Sequence, residues 1–139
     1  LDIEVTNDFP NPVCIPPDGG TANGNILFEV RNSGLGAVTN LSLLDERAVS
    51  TVGGQLFYQF VVCFVDAGVC EFRPADPQNV AACNFVLAQR GSLFCAIPQS
   101  VDGNTRSFGE NANLLGTDSC TRPVSANSTI VNQVTNICP

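Results

Sequence analysis

Apolar and polar residues alternate with a period of two along much of this chain. In Leu1–Asp8 (LDIEVTND), Leu1, Ile3 and Val5 share one side and Asp2, Glu4 and Thr6 the other, which is the pattern of a strand with one buried and one wet face. Asn25–Arg31 repeats it with Ile26, Phe28 and Val30 inward, and Ala37–Leu44 with Leu41 and Leu43 inward and Asn40 and Ser42 outward. Leu56–Val65 (LFYQFVVCFV) is apolar on both faces apart from Tyr58 and Gln59, so it predicts either a central strand or one whose outer face another element covers. Asp66-Ala67-Gly68 turns the chain back along Val69–Phe72, and Gln89-Arg90-Gly91 joins Asn84–Ala88 to Ser92–Ile97 as a second hairpin. Pro98–Phe108 predicts an exposed loop, and the Pro- and Gly-rich Phe9–Gly24 a linker. Further runs at Ala112–Leu115 and Ser128–Ile137 bring the series to eight or nine short strands. No segment sustains the i, i+3, i+4, i+7 spacing of a helix. The pattern predicts an all-β antiparallel sandwich over residues 24–139, preceded by a strand and tether over 1–23.

Two stretches carry a family likeness. Gly24–Gly34 (GNILFEVRNSG), continued by Val38–Asp45 (VTNLSLLD), resembles the opening of the "conserved repeat" domain, and Glu110–Asp118 (ENANLLGTD) is similar to its closing motif. The likeness spans about residues 24–137. That family is an immunoglobulin-like module of microbial and algal surface proteins. The resemblance therefore implies an immunoglobulin-like sandwich in extracellular, repetitive, structural or adhesive use, with no catalytic residues to carry over.

Charge and composition narrow the function further. The chain has six Arg, no Lys, no His and a net charge of −7, so the basic stripe that marks a nucleic-acid interface is missing. Attraction to an anionic membrane surface is disfavoured in the same way, and no apolar run reaches the roughly 18 residues of a membrane span. No basic, apolar, small-residue leader is present, so Leu1 reads as a mature N-terminus. Without His or Lys, a nucleophile has no ordinary base and a phosphate-binding G-x-x-x-x-G-K loop cannot form. Asp45-Glu46 is the adjacent carboxylate pair worth weighing for glycoside hydrolysis, but it reads as a solvated turn. Asp18, Asp102 and Asp118 sit in candidate loops without a calcium-loop pattern and read as turn residues. No enzyme activity, metal or cofactor is expected. The missing Lys also excludes Lys–Asn isopeptide cross-links, which leaves disulfides as the covalent reinforcement.

Seven cysteines, none in a C-x-x-C pair, and two Asn-x-Ser/Thr sequons at Asn40 and Asn127 point to an oxidising, extracellular setting with N-linked glycans. Hairpin geometry predicts the bridges Cys63–Cys70 and Cys83–Cys95, and Cys120–Cys138 is the first choice for a third. Cys14 then remains as a free or intermolecular thiol, or a buried inert one.

The first strand has two possible places. It can complete its own sandwich, or it can cross on the Pro-rich tether and donate Leu1, Ile3 and Val5 to a neighbouring subunit. Donation in a head-to-tail manner does not close on itself and generates a filament. The reading adopted is a fibre or pilus-like homo-oligomer joined by strand complementation. The alternative is an adhesion domain that binds carbohydrate or protein through Pro98–Phe108 and Asp18–Asn23.

Overall fold

The computed structural model describes residues 1–135 and 138. It is all-β, with one curled, open, mixed sheet. The strands are β1 (Asp2–Asn7), β2 (Val13–Cys14), β3 (Thr21–Arg31), β4 (Val38–Thr51), β5 (Gly54–Asp66), β6 (Gly68–Pro74), β7 (Phe85–Leu87), β8 (Ser92–Asp102), β9 (Thr105–Thr117) and β10 (Pro123–Thr135). They lie in the order β1-β3-β8-β6-β5-β4-β9-β10-β2, and β7 pairs with β4 off this path. Almost every pairing is antiparallel; β6 with β8 and β2 with β10 are parallel.

Curling brings the first strand against β10. Their backbones form no ladder, and side chains bridge the seam instead. The Val5 amide donates to Ser128 Oγ at 3.1 Å, and Asn7 and Asn132 each donate a side-chain N–H to the other's carbonyl, at 3.0 and 2.9 Å. The core lies inside the curl. Ile3 and Val5 of β1, Ile26, Phe28 and Val30 of β3, Leu41 and Leu43 of β4, and Phe108, Ala112 and Leu114 of β9 are all buried there. Those of β1, β3 and β4 are the positions the alternation assigns inward, whereas Phe108 falls in the stretch expected to be an exposed loop.

The structure places the opening strand in its own sheet. β1 pairs antiparallel with β3 from Asp2 opposite Arg31 to Asn7 opposite Ile26. Leu1 packs against the chain's own core, and Ile3 and Val5 are part of it. The expected tether is not a linker either. Phe9, Val13 and Ile15 are buried in the same core, so three apolar side chains anchor a stretch whose Pro and Gly content had masked them.

Several expectations about the middle of the chain are corrected. Cys63 opposes Glu71 on β6 and Phe64 opposes Cys70, so neighbouring residues of a pleated strand send Cys63 and Cys70 to opposite faces. Cys70 joins the main core with Cys95, whereas Cys63 joins an outer cluster with Val61 and Cys83. The bridges are accordingly Cys63–Cys83, Cys70–Cys95 and Cys14–Cys138, with Cys120 free and exposed. Cys14 is therefore paired and Cys120 is not. The second hairpin does not form, because β7 crosses to β4, which separates Cys83 from Cys95. A short helix, α1 (Pro77–Ala82), was not expected. Asp76 caps it by accepting from the Asn79 amide at 2.8 Å, and Pro77 starts it. Val80 and Cys83 of this segment cover the outer face of β5 at Val61 and Cys63, which accounts for the apolar outer face in that half of the strand. Pro98–Phe108 is not a loop but the end of β8 and the start of β9, joined by a turn at Gly103-Asn104; the two strands pair with other neighbours and not with each other.

Candidate functional site

The inward faces of β4 and β9 carry charge where the alternation calls for apolar residues. On β4 the inward series runs Leu41, Leu43, Asp45, Arg47, Val49, and on β9 it runs Phe108, Glu110, Ala112, Leu114; Arg47 stands directly opposite Glu110. Asp45 is 1% exposed and Glu110 2%, so Asp45-Glu46 is no solvated pair: Asp45 is inside, Glu46 is outside, and the real partner of Asp45 is remote in sequence. Arg47 Nε donates to Glu110 Oε1 at 2.6 Å. Its guanidinium also lies 4.9 Å from the Phe72 ring centre and 5.6 Å from that of Phe60, so aromatic faces replace part of the water a cation would otherwise hold.

Both Asp45 oxygens and Glu110 Oε2 lack a donor while every carboxyl is ionised. Protonation of Asp45 supplies the donor for one bond to Glu110, while the second Asp45 oxygen and Arg47 Nη2 keep no hydrogen-bond partner among the described residues. Burial, then a hydrogen bond to Glu110 and the charge of that carboxylate, push the Asp45 carboxyl up to about 9. At neutral pH Asp45 is an uncharged acid that donates to Glu110, and Glu110 pairs with Arg47. The cluster is one cation and one anion bridged to a neutral acid, with both carboxyls buried and Arg47 reaching the edge of the core. It can order the core, but Asp45 is too deeply buried to meet a substrate.

Beside this cluster the sheet is open. Gln55–Gln59 of β5 pair with β4 on one side, and among the described residues their other edge has no backbone partner. β8 matches this gap: it pairs with β6 at Cys95 and Ala96 and then runs on with that edge bare. A cleft of about 210 Å³ lies between, bordered by Arg47, Tyr58, Gln99, Ser100, Asp102 and Phe108. By register Leu56 and Tyr58 share the inward face with Val49 and Arg47. Nevertheless Leu56 is 49% exposed and Tyr58 42%, and on the outer face Phe57 is 63% exposed. Leu56 and Tyr58 are core-side positions with no layer over them.

The remaining expected residues are scattered. Asp18, Asp102 and Asp118 act as turn residues: each accepts from a backbone amide two residues on, at Gly20, Asn104 and Cys120. Asp118 also accepts from the Arg122 amide, the first of the bonds that hold its carboxyl below the ordinary value. Among the described residues no group of three or more His, Cys, Asp or Glu side chains could hold a metal. The two sequons differ. Asn40 is exposed with φ of 52°, at a register shift in β4. The Asn127 side-chain amide donates to Asn111 Oδ1, Asn113 Oδ1 and Ala112 O, at 2.6, 2.7 and 3.2 Å. Sequence reading missed Arg47 and Glu110, although each stands out as a charge in the apolar phase of its strand.

No protein-family model matches the chain, and no curated protein matches it. Two crystal structures are similar in fold. One is a Northeast Structural Genomics Consortium target, with TM-score 0.53 and 7% identity over 98% of this chain and 88% of that one. The other is a structural-genomics target from Bordetella pertussis carrying the name ApaA, with TM-score 0.53 and 7% identity over 97% of this chain and 94% of that one. At that identity the likeness concerns the fold alone. It defines the class: an all-β protein of one curled mixed sheet. Three disulfides add that it is suited to an oxidising environment.

Proposed function

We propose that this chain is an immunoglobulin-like structural subunit of an extracellular, self-assembling fibre, braced by disulfides and N-glycosylated. The strand order supports the immunoglobulin-like reading: β1-β3-β8 forms one layer and β5-β4-β9-β10 the other, joined along one side through β6. The sequence resemblance to an extracellular repeat module supports the setting. The observation that carries the reading is the incompleteness of the unit. A sandwich clamped by three disulfides leaves core-side Leu56 and Tyr58 uncovered beside an unpaired strand edge, and such an edge is a template for a further strand. The joint is made at this edge and not by Leu1–Thr6, which the chain's own sheet uses. Negative-stain imaging and light scattering of the purified protein test the proposal. Fibres or concentration-dependent oligomers are expected, and a monodisperse monomer at every concentration overturns it.

A second reading has its own support. The cleft combines the Tyr58 ring with the polar side chains of Arg47, Gln99, Ser100 and Asp102, the mixture of apolar and directional groups that a small-ligand site uses. Under that reading the chain is an adhesion domain, and a glycan array gives a specific hit that Tyr58→Ala abolishes.

A further inference from the structure

We infer that a second copy of this chain docks on the free edge of β5, the two Gln55–Gln59 segments pairing antiparallel about a two-fold axis through Phe57. The inference rests on the self-association proposed above and supplies its first contact. The edge is available because β6 ends its ladder with Phe60 opposite Pro74, and Pro has no N–H with which to continue. Natural sheets protect such an edge with charge, Pro or a bulge. Gln55–Gln59 carry none of these.

The sequence of the edge selects the occupant. Gln55-Leu56-Phe57-Tyr58-Gln59 reads nearly the same in either direction. Antiparallel pairing about Phe57 sets Gln55 opposite Gln59, Leu56 opposite Tyr58, and Phe57 opposite its own copy. Phe57 and the flanking Gln55 and Gln59 share the outer face, so amide meets amide there, while the under-covered Leu56 and Tyr58 meet on the inner face. This is the self-complementarity that a two-fold contact requires, since one patch must match itself. Electrostatics agree. The chain carries −7, yet residues 48–65 contain no charged side chain, so two copies meet here without opposing like charges. The contact closes as a dimer.

Cross-linking tests this on the full chain with Cys120→Ser removing the free thiol. Directly opposite residues of an antiparallel pair bring their Cβ atoms within about 5 Å, so Phe57→Cys should form covalent dimers with a short bismaleimide at least about tenfold faster than Val131→Cys, an equally exposed site on β10. In sedimentation, Phe57→Asp sets two carboxylates face to face and should weaken the dimer by about tenfold or more. Equal cross-linking at the two sites, or unchanged sedimentation of Phe57→Asp, overturns the contact. Fibres seen without a Phe57 cross-link overturn it while leaving the structural-subunit reading intact; a chain monomeric at all concentrations overturns both.

Discussion

Arg47 and Glu110 face each other on neighbouring strands inside the core, with Nε and Oε1 2.6 Å apart. Removing the cation strands a buried carboxylate. Arg47→Met should therefore destabilise the fold by about 3–5 kcal/mol, read from urea unfolding midpoints. Replacing Asp45, Arg47 and Glu110 together by apolar residues of similar size should restore most of that loss or exceed the parent. If the single substitution costs nothing, the Glu110 carboxylate is not held by Arg47 as described.

Asp45 gives stability an unusual pH dependence. Its folded value of about 9 lies far above the ordinary 3.8, so the folded state holds a proton that the unfolded chain releases above about pH 4. The contribution is fully present below pH 4, declines as pH rises, and is gone once pH passes about 9. Asp8 and Asp118 act in the opposite sense, because hydrogen bonds from Asn25 and from the Arg122 amide lower them, so what they contribute is lost only as pH falls below about 4. Asp45→Asn mimics the protonated form and should flatten the slope between pH 5 and 9 and raise stability at neutral pH. Denaturant titrations of both proteins across that range measure the difference directly.

The seam between β1 and β10 rests on few bonds. Asn132 is 5% exposed, and Asn7→Ala leaves its amide with no partner across the seam at a cost of about 1–3 kcal/mol. Hydrogen exchange should show β1 amides opening faster while β3–β8 amides keep their protection. Unchanged exchange in β1 would mean that the β3 ladder alone holds the strand.

The Cys70–Cys95 bridge spans 25 residues and pins the short parallel contact between β6 and β8. Replacing both cysteines by Ala should lower stability by about 3 kcal/mol. The same replacement at Cys63 and Cys83, 20 residues apart, should cost slightly less and loosen α1 first. Differential scanning calorimetry and protease nicking near Ala82 separate the two.

Expression in a glycosylating host should yield a glycan on Asn40 and little on Asn127. Asn40 projects from an exposed bulge, whereas glycosylating Asn127 takes a hydrogen from an amide shared among three acceptors. Peptide mapping by mass spectrometry decides between them.

Strand alternation made β1, β3 and the start of β4 legible, because each shows one buried and one wet face. Partners across the sheet were not. Cys63 and Cys70 flank a turn and invite a bridge, yet a bulge between Phe64 and Asp66 in their hairpin and the pleat itself send them to opposite sides. The helix at Pro77–Ala82 was too short for periodicity to register, although Asp76-Pro77 was a readable start signal. Val13 and Ile15 were hidden by the prolines around them. Asp45, Arg47 and Glu110 were visible as charges out of phase, but only the pairing of β4 with β9 turns them into one cluster. The open edge of β5 could not be read, since an apolar run looks alike whether it is covered or bare.

The staple between Cys14 and Cys138 also divides the molecule mechanically. Tension drawn between Leu1 and Cys138 would travel through that covalent shortcut, leaving the sheet enclosed by it unloaded. What yields is the leading segment, where β1 peels from β3 to leave a tether of roughly 13 residues, no more than about 45 Å long when fully extended, before the pull reaches a bond that does not give.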